Sequence, residues 1–282
     1  MTLAVCVLIY VAVLVFLIAS AVRAVRYARL PVHLRWELYP IPHSDKPGHS
    51  NLWCEWKFML PEMVFLKGLW EFNRGLWYRS FPFHFGLYLM IATLAILVPS
   101  ALLGTAALHW CYTATGMAGW GLTMAGAAGL LHRRLTDPTL KNYSTPGDLF
   151  NLVFFLAAFG LLGAGYLLGG AGSPGVLALT RGVLTFDGSI AIPPLVAAGL
   201  VLGALLVAYI PLTHMSHFIA KYFTYHSIRW DDAPNRGQAE LAKKIAEYLA
   251  YRPAWAAPHI GADGTKTWAD IATTNPTAGK KK

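Results

Sequence analysis

Histidines stand near the ends of two strongly apolar segments of the chain. His84 lies near the start of one segment, at 82–105, while His214 and His217 lie near the end of another, at 192–218. An ionisable side chain inside a membrane is costly, and by default it marks a functional site. Imidazoles at matched depth on two helices are what bis-histidine ligation of a b-type haem requires. The chain has no Cys-x-x-Cys-His motif, so this haem would be bound non-covalently.

Each histidine also has a simpler interpretation. A single intramembrane histidine can be a hydrogen-bonded packing residue or can lie at the interface. His214 and His217 are about one helical turn apart and not on identical faces, so only one is expected to ligate the iron, and the sequence does not choose between them. His132 and His226 are expected at the interface or near the haem propionates. Gly86 is expected to leave room beside the porphyrin ring.

The composition places these histidines in a membrane protein. Of the 282 residues, 56% are hydrophobic and 13% are charged, whereas soluble domains carry about a quarter charged residues. This excludes intrinsic disorder and a collagen-like chain. Cys6, Cys54 and Cys111 are scattered, which favours inert thiols over a disulfide scaffold or a metal site. The net charge of +9 does not indicate nucleic-acid binding, because the basic residues are distributed by loop and form no single patch.

Five apolar segments predict an all-α integral membrane protein, a bundle of five transmembrane helices. A span needs about 20 apolar residues, and the shortest segment extends back to about residue 112. The predicted spans are 2–22, 82–105, 116–131, 148–169 and 192–218. The first has no basic residue before it, which favours a retained span over a cleaved signal peptide.

The distribution of lysine and arginine predicts the orientation. The connection 23–81 holds nine of them, 106–115 holds none, 132–147 holds three, 170–191 holds one and the tail from residue 221 holds ten. Basic residues concentrate in cytoplasmic loops. We therefore expect the N-terminus outside and the C-terminal tail in the cytoplasm, in a multi-pass protein of a bacterial or archaeal cytoplasmic membrane.

Two domains follow from this organisation. Residues 1–220 form the five-span core, including the cytoplasmic loop 23–81, and residues 221–282 form a cytoplasmic tail that docks a partner subunit. Within them, 58–78 is predicted to be an interfacial amphipathic helix, and 238–251 a charged helix. A partly disordered tail is the alternative to a docking segment.

Local signals mark a helix start and a packing face. Thr145, Pro146 and Asp148 supply an N-cap, a proline at the first helical position and an early acidic residue, so span four is predicted to begin there. Glycines at helix-packing spacing lie in span three, and they indicate close helix contact rather than a nucleotide-binding loop. These glycines are Gly116, Gly119, Gly126 and Gly129.

Three short stretches resemble a known family. They are SFPFHFG at 80–86, LLHRRL at 130–135 with DP at 137–138 and STPGD at 144–148, and PLTHMSH at 211–217. With them the chain is similar to the gamma, cytochrome b subunit of respiratory nitrate reductase. It is more similar still to the membrane cytochromes of heterodisulfide-reductase-like complexes of sulfate reducers, the DsrM and TmcC type. Weaker signals for the latter are RWELYP at 35–40, KTWAD at 266–270 and TTNP at 273–276.

The resemblance implies a haem-ligand set. In the nitrate-reductase type, helices two and five each carry two histidines and bind two stacked haems. His84 and His217 match the pair for the haem nearer the cytoplasm, while the second pair falls on Leu94 and Gly199, which cannot ligate iron. One haem b is therefore expected, with His214 as the other candidate ligand on the fifth span.

The resemblance also implies an electron-transfer subunit that works between menaquinone and a cytoplasmic iron–sulfur partner of the HdrD-like type. A periplasmic multihaem cytochrome would connect through further subunits. A quinone pocket is expected within reach of the haem, in the inner or middle bilayer. Arg133, Arg134 or Lys221 would pair with haem propionates through charge-assisted contacts.

Two other classes of function are alternatives to an electron-transfer subunit. A haem-free membrane anchor for a redox complex would keep the spans and the tail and use the histidines for packing. A transporter would need polar groups or broken helices near the midplane of several spans, and spans one, three and four have almost none. Neither class explains the matched depth of His84 and His217.

Overall fold

The computed structural model describes residues 2–29, 51–169, 174–229, 239–254 and 261–274, and these residues form helices and connecting turns with no strand among them. The α-helices among them are α1 Thr2–Arg29, α2 Asn51–Val64, α3 Lys67–Phe72, α4 Arg74–Leu103, α5 His109–Thr136, α6 Pro138–Asn142, α7 Pro146–Gly169, α8 Val176–Thr185, α9 Pro194–Tyr209, α10 His217–Phe223, α11 Ala239–Leu249 and α12 Trp268–Thr273. Two short 3-10 turns, Ile210–Leu212 and His214–Ser216, join α9 to α10, and a π-helix, Thr224–Arg229, follows.

Four of the described helices are apolar and long enough to cross a membrane. They are α1, α4, α7 and the stretch Pro194–Leu212, which extends α9 by one turn. They coincide with predicted spans one, two, four and five, and they give the chain the character of a multi-pass helical membrane protein. The third predicted span lies inside α5, which has 28 residues but less apolar content than these four helices.

The described residues divide into two compact units. One, here called the helical bundle, holds the described residues up to 222, and the other, the tail unit, holds those from 223 onward. Within the bundle, α4 lies beside α5, α5 beside α7, α7 beside α9, and α9 beside α1. Phe83 of α4 and Phe155 of α7 meet at the centre of one apolar core, with ring centroids 5.0 Å apart.

Small side chains let α4 and α5 run antiparallel in close contact along their length. Contacts or near-contacts pair Thr93 with Thr115, Gly86 with Thr123, Phe83 with Gly126, Arg79 with Gly129 and Gly75 with Arg133. A Cβ on Gly86 would lie 2.5 Å from the backbone nitrogen of Thr123. The space beside Gly86 is therefore filled by the neighbouring helix, and the expectation that Gly86 leaves room for a porphyrin is wrong.

The bundle has one basic end and one end almost free of basic residues. The basic end holds the first residues of α4 and α7, the last residues of α1 and α5, and residues 213–217. At the opposite end, Thr2 donates to the carbonyl of Ile190 at 2.8 Å, and Arg181 lies beside Gly104. The basic end carries Arg23, Arg26, Arg29, Arg74, Arg79, Arg133, Arg134, Lys141 and Lys221.

Two predicted helices are interrupted in the structure. The segment 58–78 is divided among α2, α3 and the start of α4, because Leu66 has a left-handed φ of 52° and Asn73 caps α4 by accepting from Leu76 N–H at 3.0 Å. Predicted span five ends early, because Thr213 adopts an extended conformation with φ −118° and ψ −176°. Pro211 lacks the N–H that a continuous helix would use there.

Two other local predictions agree with the structure. Helix α7 begins at Pro146, where Thr145 N–H donates to the Asp148 carboxylate at 2.9 Å and Asp148 N–H donates to the Thr145 hydroxyl at 3.3 Å. The predicted charged helix at 238–251 corresponds to α11. In the tail unit, α12 lies close to the end of α11, since Trp268 N–H donates to the Tyr251 carbonyl at 3.0 Å. The RWELYP stretch, His33, His43, His49, His259 and the final three lysines lie outside the described residues.

Close packing of α5 on α4 predicts unequal effects of two alanine substitutions. A Cβ at Gly126 would overlap the backbone of Phe83, whereas a Cβ at Gly121, on the same helix, meets nothing within 4 Å. Gly126→Ala should therefore cost about 1–3 kcal/mol through overpacking, and Gly121→Ala should not destabilise. Thermal unfolding of both variants in detergent checks this, and equal midpoints would contradict the close α4–α5 contact.

Candidate functional site

The rings of His84 and His217 lie next to each other in an edge-to-face contact near the basic end of the bundle. Their ring centroids are 5.9 Å apart and their planes are inclined by 71°. A metal lies about 2.0 Å from an imidazole nitrogen, and the ring centroid about 1.1 Å behind it, so trans imidazoles have centroids about 6.2 Å apart. The observed spacing is therefore close to what one metal ion between the two rings requires.

The His84 ring is held by the turn of α4 that precedes it. Its Nδ1 lies 2.7 Å from the Ser80 carbonyl oxygen and 3.3 Å from the Ser80 hydroxyl. Because a carbonyl oxygen only accepts, Nδ1–H must donate to it, which leaves the lone pair of a neutral imidazole on Nε2. Fixing the tautomer and ring orientation through the other nitrogen is the usual arrangement for a metal-binding histidine.

His217 owes its position to the break in the fifth apolar segment. It is the first residue of α10, and it follows a turn in which the Thr213 hydroxyl accepts from Met215 N–H at 3.3 Å. The buried Ser216 hydroxyl closes the same turn by donating to the Thr213 carbonyl at 2.8 Å. His217 itself is exposed at the surface of the bundle.

His214 lies in a different group of residues. Its Nε2 is 3.2 Å from an Asp148 carboxylate oxygen and 3.2 Å from the Asn151 amide nitrogen. One nitrogen cannot donate to Asp148 and accept from Asn151 at once, so these are two alternative states of the ring. Asp148 also lies 3.7 Å from Arg134, whose guanidinium donates to Ser144 at 3.1 Å. The structure thus brings His217, and not His214, to His84.

The other predicted site residues have carboxylate partners at the basic end. Arg133 pairs with Asp137 at 3.3 Å, and Lys221 pairs with Glu62 at 3.6 Å. The Asp137 pKa is lowered chiefly by the backbone N–H of Leu140 and also by Arg133, so this carboxylate stays ionised. Neither Arg133 nor Arg134 contacts the His84–His217 pair.

Aromatic rings line one side of the pair. Phe83 meets the His84 ring edge-to-face, with centroids 5.3 Å apart, and Phe83 in turn meets Phe155.

The two positions that match a second ligand pair have different surroundings. Leu94 is 55% exposed, whereas a Cβ on Gly199 would lie 2.7 Å from the backbone of Leu162. Helix packing, and not an open site, therefore occupies the surroundings of Gly199.

In the described part of the chain, no further metal-binding side chain joins the two imidazoles. No group of three or more His, Cys, Asp or Glu residues there could hold a metal ion. Two facing imidazoles are nevertheless the full protein ligand set of a bis-histidine haem, since the porphyrin supplies the other four nitrogens. The two histidines therefore fit the axial ligands of that group.

Two contributors to the site were missed by the sequence analysis. The Ser80 carbonyl has no sequence signal, because any residue at that position offers a backbone oxygen. Asp148 was assigned to helix capping alone, yet it also fixes His214, three residues before His217. A signal for the second role would require knowing that α7 and the turn after α9 meet.

The double role of Asp148 predicts graded effects of two substitutions. Asp148→Ala removes the hydrogen bonds to Thr145 and the ion pairs, and it should cost about 0.5–1.5 kcal/mol from the lost hydrogen bond alone. Asp148→Asn keeps an oxygen that accepts from Thr145 N–H and should lose less. Thermal unfolding midpoints in detergent measure both. If the two variants unfold together with the unsubstituted protein, the Asp148 cluster does not fix this end of the bundle.

Comparison with known proteins does not assign the chain to a family. No family model matches the chain, and no curated protein or solved structure matches it.

Proposed function

We propose that the chain is a membrane cytochrome b that passes electrons between menaquinone and a cytoplasmic iron–sulfur subunit of the heterodisulfide-reductase type. The observation that carries the proposal is the approach of the His84 and His217 rings, with centroids 5.9 Å apart. These residues lie far apart in sequence, and each meets the other from a separate helix. Packing alone does not require two imidazoles to face each other.

The chain's own residues would hold and tune a single haem b. The Ser80 carbonyl fixes the His84 ring, and the Asp148–His214 contact fixes the turn that presents His217. Phe83 covers one side of the His84 ring. A haem b bound there supplies one-electron chemistry at a potential set by its axial ligands and buried surroundings. Arg134 is a candidate to pair with a propionate if it exchanges its present partners.

The proposed topology adds a fifth span and an orientation to the four apolar helices. Because α5 runs antiparallel along α4 from Thr93–Thr115 to Gly75–Arg133, it covers the same depth and serves as a fifth span. Its lower apolar content follows from the small residues that face α4. The basic end is assigned to the cytoplasm, because lysine and arginine concentrate on that side. His84 and His217 then lie in the cytoplasmic half, beside an iron–sulfur partner.

A groove near the proposed haem is the candidate quinone site. It has a volume of about 410 Å³, and its lining includes Val15, Val22, Pro211 and Leu212, with arginines at one end. Pro211 and Leu212 belong to the turn that leads to His217, and Phe16 of α1 stacks on Phe218 at 6.3 Å. An apolar groove of this kind suits a prenylated quinone. Because the groove lies near the proposed haem ligands, a quinone bound there would be within electron-transfer reach of the single haem.

Haem content tests the proposal. A pyridine-haemochrome assay with a reduced-minus-oxidised spectrum of the purified full chain should give about one haem b per chain. His84→Ala and His217→Ala should each lose it, because each removes one axial nitrogen. The control His109→Ala should retain it, since its ring lies on another partner, Tyr112.

Other outcomes separate the alternatives. No haem in the unsubstituted chain would leave the histidines as packing residues of a haem-free anchor. Two haems per chain would mean a second ligand pair outside His84 and His217. Loss of haem in His214→Ala, with retention in His217→Ala, would reverse the ligand assignment.

Native cysteines test the orientation. Cys111 is exposed near the start of α5, at the end opposite the basic end, and Cys54 lies in α2. In intact cells a membrane-impermeant maleimide should label Cys111 and not Cys54, and labelling should disappear in Cys111→Ser. Permeabilised cells provide the control for Cys54. Labelling of Cys54 alone in intact cells would invert the proposed topology.

A further inference from the structure

A second groove at the basic end lies between α4 and α5. It has a volume of about 520 Å³ and opens to the outside of the bundle. Gly75 and Arg79 of α4 line one side, and His132 and Arg133 of α5 line the other. Because Gly75 has no side chain, the Arg133 guanidinium reaches α4, where a Cβ would stand 3.2 Å from its Nη1.

The groove carries more positive charge than its one acid balances. Asp137 is the single acidic residue in its lining, and it is engaged by Arg133 Nε at 3.3 Å and by two backbone N–H groups. Arg79 has no described carboxylate partner and donates only to the Gly75 carbonyl, at 2.6 Å. Arg133 Nη1 is buried and has no described hydrogen-bond partner. The exposed His132 ring adds a further polar group.

This groove is separate from the histidine pair. Arg79 and His84 are five residues apart on α4, which places them about 140° apart around the helix axis. His84 faces His217 and the Phe155 side of the bundle, where α7 packs. Arg79 therefore faces away from that side, toward the outer surface of the α4–α5 pair.

Position and chemistry together identify the occupant. The groove lies where α4 and α5 emerge at the basic end, and the neighbouring Tyr78 and Leu135 are exposed apolar residues, 60% and 53% respectively. Guanidinium groups recognise phosphate through paired N–H donors. Basic pockets between transmembrane helices on the cytoplasmic side bind anionic lipid head groups. We propose that this groove binds the phosphate of an anionic phospholipid, whose chains lie along the outer face of α4 and α5.

Lipid binding to the full-length protein tests the proposal. The probes are nanodiscs with phosphatidylglycerol in a phosphatidylcholine background, and native mass spectrometry counts the phosphatidylglycerol retained by the purified chain. Arg79→Gln should weaken retention about tenfold, because it removes a charged hydrogen-bonding partner of the phosphate. The control Arg74→Gln removes the same charge from the same helix, but at a side chain that lies over the Trp70 ring, 4.7 Å from its centroid, and should leave retention unchanged.

A second variant keeps the test decisive if Arg79→Gln folds poorly. His132→Glu changes an exposed residue, and its added carboxylate should repel the phosphate and lower retention at least as much. Equal retention by the unsubstituted chain, Arg79→Gln and His132→Glu would overturn the proposal. So would displacement of the lipid by glycerol phosphate or inorganic phosphate at equal concentration, because the site would then read a free phosphate and not a lipid.

Discussion

The approach of the His84 and His217 rings is the contact on which the proposed site depends. The two residues lie far apart in the sequence, and their rings come within 5.9 Å of each other just after the chain breaks at Thr213. The buried Ser216 hydroxyl and the Asp148–His214 contact hold the broken segment in place. One turn of irregular backbone therefore sets the ligand geometry.

A second constraint comes from the membrane, where lipid offers no hydrophobic force to press helices together. Close packing of small residues supplies the attraction, and Gly86 and Gly126 bring α4 and α5 into backbone contact. This contact fixes the α4 helix that carries His84, and its outer edge forms the arginine-lined groove. The same helix pair thus has one face toward the histidines and another toward lipid.

Much of this arrangement could be predicted from the sequence, for identifiable physical reasons. The start of α7 follows from the local hydrogen bonds of Thr145 and Asp148, and apolar length locates four spans. The matched depth of the histidines predicted that His84 pairs with a histidine of the last apolar segment. The choice between His214 and His217 could not be made, because it depends on a partner in α7 and on a break that apolar composition does not register. Gly86 was misassigned for a similar reason, since only the neighbouring helix shows that its space is filled.

The axial ligation of the oxidised protein can be measured by low-temperature electron paramagnetic resonance with near-infrared magnetic circular dichroism. We expect a low-spin ferric haem with two imidazole nitrogens as axial ligands. A high-spin signal, or histidine–methionine ligation involving the nearby Met215, would contradict the His84–His217 assignment. Absence of any haem signal would contradict the electron-transfer function itself.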